Sequence, residues 1–282
     1  MKLSLSTNWC NRRIESGEEI AETALSLGFE ELELGYHTTL WQAKDFKRTL
    51  DRIPVGSVHA FCPVPISAPQ GYPELYSLAS FDEEDVKMAH LQVTRNIAFA
   101  ADIGADTVVL HAGRVLCDGF LFLGSPEKRR AKRGAKMLDV LRKELESFVP
   151  ELEKRKVTLA LENLPYFEGF PNEDEFAQVM GWKLGDRVKG WYDTGHARVR
   201  ECNGWAPPFA ADRLDPSQYA GMHLNDVIDK IDDHFAPSFG KVDFAALKDF
   251  AHAVGHVVFE PNADVSEDDL RQGVAHIRSL WL

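Results

Sequence analysis

Residues 82–111 read DEEDVKMAHLQVTRNIAFAADIGADTVVLH, and they hold a complete helix-to-strand unit. Val86, Met88, Ala89, Val93, Ile97 and Ala101 recur at near-helical spacing over 82–102, which predicts a helix with one apolar face. Gly104 then stops it, as a glycine just past a helix end does. Three residues later comes Thr107-Val108-Val109-Leu110-His111, a short β-branched run closed by an imidazole. An apolar run of this length without alternation is buried on both faces, as strands of a parallel sheet are.

The same unit repeats outward in both directions. Strands are expected at 3–7, 31–34, 56–60, 107–111, 158–162, 190–193, 221–224 and 257–260. Helices are expected from Ser16 to Gly28, where Ser16 and Glu19 form a capping start, and at 82–102, 126–156, 172–180, 244–254 and 266–282. Gly28, Gly104 and Gly255 each precede a strand by a few residues, which is how helix-to-strand loops read. Residues 197–216 carry Pro207, Pro208 and Pro216 and are expected to be a long loop. Two more long loops are expected at 61–81 and 112–125. About eight β-α alternations with no interdomain linker favour one closed (β/α)8 TIM barrel over residues 1–282, rather than a doubly wound sheet.

Bulk properties narrow the function. The 282 residues are 44% hydrophobic and carry 32 Lys and Arg against 44 Asp and Glu, a net charge of -12. Such a surface repels phosphate backbones, so nucleic acid is not an expected partner. No segment approaches the roughly 18 apolar residues of a membrane span, and residues 1–8 are too polar for a signal peptide. Cys10, Cys62, Cys117 and Cys202 are far apart with no Cys-x-x-Cys pair. That argues against a cysteine zinc site or a disulfide framework and makes the cytoplasm the default location.

In a barrel of this kind the C-terminal strand ends converge on one mouth. Seven of the eight expected strands end in an acid or an imidazole: Glu33, His59, His111, Glu162, Asp193, His223 and Glu260. A lone histidine in an apolar strand is usually a satisfied core residue. Seven uncompensated polar groups at one mouth would each cost on the order of a few kcal/mol. Divalent metal satisfies them together, since imidazole nitrogen and carboxylate oxygen are its natural ligands; a mutually hydrogen-bonded network is the alternative. Asp193-Thr194-Gly195-His196 adds an imidazole three residues past a strand tip, and Asp232-Asp233-His234 adds a carboxylate and an imidazole from one loop. Together these suffice for one to three ions.

In their order and spacing, Gly28-Phe29-Glu30-Glu31-Leu32-Glu33-Leu34, Val109-Leu110-His111-Ala112-Gly113, Leu161-Glu162-Asn163, Asp193-Thr194-Gly195-His196, His223-Leu224-Asn225-Asp226 and Phe259-Glu260-Pro261 carry a resemblance over the whole chain. It resembles the xylose-isomerase-like TIM-barrel superfamily, which joins sugar isomerases and epimerases with endonuclease-IV-type AP endonucleases. The resemblance implies that Glu162, Asp193, His223 and Glu260 are the metal ligands of the epimerase branch, with Glu162 and Glu260 also its acid/base pair. The implied function is a divalent-metal-dependent isomerase or epimerase of a sugar or sugar-like polyol, using Mn, Zn, Co or Mg. It moves a proton beside a carbonyl whose developing charge the metal offsets.

The resemblance equally implies that His59, His111, His196, Asp232 and His234 match the further ligands of the endonuclease branch, which holds three zinc ions. A zinc-dependent phosphodiesterase is therefore an alternative, as is a barrel that binds metal or ligand without catalysis. The segment Ala60-Phe61-Cys62-Pro63-Val64-Pro65 departs from the endonuclease pattern, Ala112 stands where that branch has proline, and Ser238 where the family has a glycine. Trp9, Trp41, Phe61, Phe167 and Trp205 fall near mouth loops, with sugar stacking or packing as their two readings. The basic run Lys128-Arg129-Arg130 with Lys132-Arg133 reads as a solvated face or a phosphate site. His90, His252, His256 and His276 carry no expected role.

Overall fold

A computed structural model describes residues 1–116, 125–208 and 213–282. Eight parallel strands close a barrel: β1 Ser4–Ser6, β2 Glu31–Leu34, β3 Val55–His59, β4 Thr107–Leu110, β5 Thr158–Glu162, β6 Val188–Asp193, β7 Tyr219–Leu224 and β8 His256–Phe259. Each strand pairs with its neighbours in sequence, and β8 returns to β1 with Ser4 opposite Val258 and Leu5 opposite Phe259. The expected single (β/α)8 barrel is the observed fold. Cys117 and parts of the loops expected at 112–125 and 197–216 lie outside the described residues. No helix among the described residues is long and apolar enough to cross a membrane.

Eight α-helices surround the barrel among the described residues: α1 Gly17–Ser26, α2 Leu40–Phe46, α3 Glu83–Ile103, α4 Pro126–Arg155, α5 Glu173–Gly181, α6 Thr194–Cys202, α7 Lys248–Ala253 and α8 Glu267–Trp281. The stop after α3 is Gly104, at φ 83°, whose N–H closes the helix on the Ala100 and Ala101 carbonyls. Glycine reaches this left-handed conformation without a steric penalty. In α8 the apolar face is Leu270, Gly273, Val274, Ile277 and Trp281, a period-3.6 stripe turned onto the strands.

Two helices depart from the expectations. The segment expected as a long loop at 197–216 begins with α6, because the Asp193 side chain accepts from the His196 N–H and caps it. The prolines start only at Pro207, after the helix has ended, so they do not oppose it. Helix α2 was not expected; a capping box between Thr39 and Gln42 supports its seven residues. The loop at 61–81 has no helix or strand, and Gly113–Arg114 pairs with Gly169–Phe170 in a two-stranded antiparallel ribbon.

The barrel interior is layered. Val109, Ala160, Trp191 and Val258 form a small apolar cluster below the polar strand tips. A Cβ on Gly221 would stand 2.5 Å from the Trp191 ring, so glycine is needed there for the indole to fit. At the opposite, N-terminal end of the strands, His256 is buried between two acids. Its Nε2 lies 2.8 Å from Asp106 and its Nδ1 3.3 Å from Glu31, which also accepts from Ser4. Burial alone would lower the pKa of His256, but the hydrogen bonds to Asp106 and Glu31 outweigh it and push it up to about 9.

A histidine raised in this way adds stability that is fully present below its unfolded value near about 6.5 and is lost as pH climbs through about 9. Asp106 is largely exposed, so solvent screening reduces the contribution to roughly 1–2 kcal/mol. The stability that urea unfolding shows to be lost between pH 6 and pH 9.5 should therefore be smaller by this amount in His256→Gln than in the wild type. Equal pH slopes for the two proteins would refute it.

Candidate metal centre

All nine residues expected as ligands lie at the C-terminal mouth, and they fall into three groups. These are His59, His111 and Glu162; His196, Asp232 and His234; and Glu162, Asp193, His223 and Glu260. In each group one donor atom per residue lies within 4.8 Å of the others. Glu162 joins two of them. Its Oε2 is 3.0 Å from His59 Nε2 and 3.2 Å from His111 Nε2, while its Oε1 is 3.1 Å from His223 Nδ1. His223 Nδ1 also lies 3.1 Å from Glu260 Oε2 and 3.6 Å from Asp193 Oδ2. The third group closes on Asp232 Oδ2, at 3.2 Å from His234 Nε2 and 3.4 Å from His196 Nε2. Glu33, the remaining polar strand tip, is in none of the groups.

The backbone orients three of the imidazoles. His59, His196 and His234 donate Nδ1–H to the carbonyls of Ala60, Asn163 and Glu260, at 3.0, 2.7 and 2.8 Å. Each therefore presents an unprotonated-capable Nε2 to a carboxylate. This is the arrangement by which an outer hydrogen bond fixes the tautomer of a ligating histidine.

The charges need a partner. Burial pushes the Glu162 carboxyl up, but the His223 and His111 imidazoles more than reverse this and hold it well below the usual carboxylate range. Burial raises Asp193 to about 6 against the pull of His196 and His234. Burial would lower His111 and His234, yet Glu162 and Asp232 respectively push them up to about 9. His196 and His223 are raised well above the ordinary value by Asp193 and Glu260 foremost, against burial. Protons on the imidazoles thus balance the buried carboxylates, and a dication can replace those protons. Oxygen and imidazole donors without thiolate suit Zn, Mn, Co or Mg by chemistry alone. The residues fit a metal.

Several side chains that hold the site in place were not read from the sequence. Asn225 Nδ2 donates to Asp193 Oδ2 at 2.7 Å, and Asn8 Nδ2 to Glu260 Oε1 at 3.2 Å. Asp226 accepts from the N–H groups of Ser238, Gly240 and Val242, which fastens the loop that follows His234. Ser238, the departure from the family glycine, adopts φ 92°, the conformation a glycine takes most easily. Asn225 and Asp226 lie in the quoted His223-Leu224-Asn225-Asp226 motif, which was the available signal; Asn8 gave none.

The mouth opens into a cavity of about 230 Å³ lined in part by Asn8, Arg12, Tyr36, Tyr166, Asp232 and Glu260. Burial, and then Glu260 and Glu162, raise the Tyr36 phenol, so it lines the cavity in its neutral form. Arg114 lies over the Tyr166 ring at 4.0 Å. Among the aromatics noted in the sequence, Trp9 and Phe61 are buried packing residues, Trp41 is exposed, and Phe167 meets Trp205 edge-on. In the basic run, Arg130 is buried and paired with Glu175 at 2.8 Å, which accounts for it without phosphate. A more apolar cavity of about 260 Å³ lies beside α5 and α6, lined by Phe176, Pro207, Pro208 and Leu214 among others. Glu162 borders it but no imidazole does, whereas His59, His111, His196, Asp232, His234 and Glu260 line the mouth cavity.

Fold and mouth together define a (β/α)8 barrel with a donor-lined centre built on its strand tips. The chain belongs to the xylose isomerase-like TIM barrel family, whose model matches residues 21–280. No curated protein sequence matches it significantly. Its structural neighbours are sugar epimerases and isomerases. A D-tagatose 3-epimerase-like protein is 18% identical with a TM-score of 0.72, covering 99% of this chain and 97% of its own. The 3-keto-D-glucoside 4-epimerase YcjR from E. coli is 17% identical with a TM-score of 0.74, covering 99% of both chains. The IOLI protein, solved with a binding zinc atom, is 14% identical with a TM-score of 0.73, covering 100% of this chain and 99% of its own. At these identities the likeness is one of fold.

Proposed function

We propose that this protein is a divalent-metal-dependent isomerase or epimerase acting on a small sugar or sugar-like polyol. The observation that carries the reading is the convergence of Glu162 and Glu260 on one point, each 3.1 Å from His223 Nδ1, at the edge of a cavity open to a small molecule. Glu162, Asp193, His223 and Glu260 would hold the ion. When bound it would act as a Lewis acid toward the carbonyl and hydroxyl oxygens of the substrate.

Glu162 is ionised and fully buried, while Glu260 reaches the cavity and is held by Asn8. One of the pair, as carboxylate, takes the proton from the carbon beside the carbonyl, and the other, as carboxylic acid, delivers its own proton, so that the two exchange protonation states. The neutral Tyr36 phenol and the Asn8 amide supply donors for substrate oxygens, and the buried walls restrict water around the transferred proton. Incubating a panel of ketoses, aldoses and inososes in D2O with loaded protein should place deuterium on one substrate carbon. Binding without deuterium uptake across the panel would instead indicate a barrel that binds ligand only.

A second reading, zinc-dependent phosphodiester hydrolysis, is favoured by one observation. His59 and His111 with Glu162, and His196 with Asp232 and His234, complete two further donor groups that proton transfer does not need. Cleavage of an abasic-site duplex by zinc-loaded protein would decide for it. The net charge of -12 weighs against such a substrate.

A further inference from the structure

One buried charged group at the mouth is used neither as an ion donor nor for proton transfer. Glu33, on β2, is fully buried. Ser57 Oγ donates to its Oε2 at 2.8 Å, and both its oxygens face His223 Nε2, at 3.1 and 3.2 Å. The His223 ring has no freedom to turn away. It stacks on His59 at 5.8 Å with an interplanar angle of 4°, and the Trp191 ring meets it edge-on at 5.1 Å. Its two nitrogens therefore look at different partners: Nε2 at Glu33, and Nδ1 at Glu162, Glu260 and Asp193.

This matters because a neutral imidazole carries one proton and can ligate only through the other nitrogen. Three carboxylates around Nδ1 favour the proton there, which would block that nitrogen as a ligand. An ionised acceptor on Nε2 opposes them. His59, His196 and His234 have backbone carbonyls in the equivalent outer position and His111 has the Glu74 carboxylate 3.6 Å away, whereas the ring among three carboxylates has both oxygens of a full charge within 3.2 Å. We infer that Glu33 is a positioning residue: its carboxylate holds the proton of His223 on Nε2 and so keeps Nδ1 free to ligate a cation. The inference rests on the reading of Glu162, Asp193, His223 and Glu260 as an ion site.

Removing the outer partner of a ligating histidine lowers metal affinity about 10–100-fold in general. Zn2+ alone, titrated in competition with a chromophoric chelator, is the probe. Glu33→Met, which replaces the charged oxygens with a weakly accepting thioether, should weaken the tightest Zn2+ by about 10–100-fold. Glu33→Gln keeps the shape and an amide oxygen that accepts the same N–H, and should recover part of the loss. In histidine-labelled, zinc-loaded protein, the nitrogen resonances assigned through His223→Gln should show Nε2 protonated in wild type and in Glu33→Gln. In zinc-loaded Glu33→Met the Nε2 proton remains wherever Nδ1 ligates, but its resonance should move upfield because the carboxylate acceptor is gone.

Wild-type affinity in Glu33→Met, or no difference between the Gln and Met variants, overturns the inference while leaving the ion site standing. Wild-type protein that takes up no Zn2+ overturns both. If Glu33→Met does not fold, Glu33→Gln still decides: it must bind Zn2+ more weakly than wild type, since it has lost the charge, with the Nε2-protonated ring retained.

Discussion

Glu260→Gln should lower kcat for deuterium exchange at the substrate carbon by about 10³-fold, within the 10²–10⁴-fold that a positioned acid/base group contributes. The substitution removes the ability to take up or release a proton and preserves the side chain's shape. With its one amide oxygen in the place of Oε2, which lies 3.1 Å from His223 Nδ1, it can remain an oxygen donor to a cation, and its NH2 then takes the place of Oε1 and faces the Asn8 amide, which can turn to accept from it. KM should change much less than kcat, because the lost interaction operates only in the transition state. Metal content, measured on the same preparation, should stay close to wild type. Normal turnover by this variant would end the assignment of Glu260 as an acid/base group, and loss of metal in parallel with activity would make it a ligand alone.

The barrel and its strand tips were legible in the sequence because apolar β-branched runs ending in acids or imidazoles have no other economical explanation. Glu33, His59, His111, Glu162, Asp193, His223 and Glu260 all stand where a parallel strand should end, and all are buried at one mouth. Helix α2 was not legible because its seven residues carry a weak apolar period. Helix α6 is masked in the sequence by Pro207, Pro208 and Pro216, which follow it closely, while the cap that starts it comes from Asp193. Asp193 reads at once as a strand tip, a possible ligand and an N-cap, and only the backbone geometry shows that one side chain serves the last role as well.

What the sequence could not give was the division of labour among the polar residues. Asn8 meets Glu260 across 252 positions, and Glu33 meets His223 across 190. Contacts of that kind leave no local spacing to read. The split of nine donors into three groups sharing Glu162 is likewise a product of barrel closure. It also separates residues that a sequence reading treats alike: Glu162 and Asp232 are both acids of the mouth, but the first belongs to two groups and the second to one.

That difference sets the second large effect. The group of Glu162, Asp193, His223 and Glu260 contains three carboxylates and one imidazole, whereas each of the others contains one carboxylate and two imidazoles. A dication should enter the most negative group first and most tightly. At an ion concentration about 1,000-fold above its Kd, binding stabilises the fold by about 4.1 kcal/mol. That corresponds to a Tm rise of about 8–16 °C for a chain of this size. Glu162→Ala removes a donor from this group and from the group of His59 and His111, so it should abolish the rise. Asp232→Ala touches neither and should retain most of it, together with the tightly held ion. Calorimetry of both variants with and without Zn2+ or Mn2+, paired with metal analysis, reads the outcome. Equal losses in the two variants would show that the ion does not sit first among Glu162, Asp193, His223 and Glu260, and would move the balance toward the hydrolytic reading, in which all three groups act together.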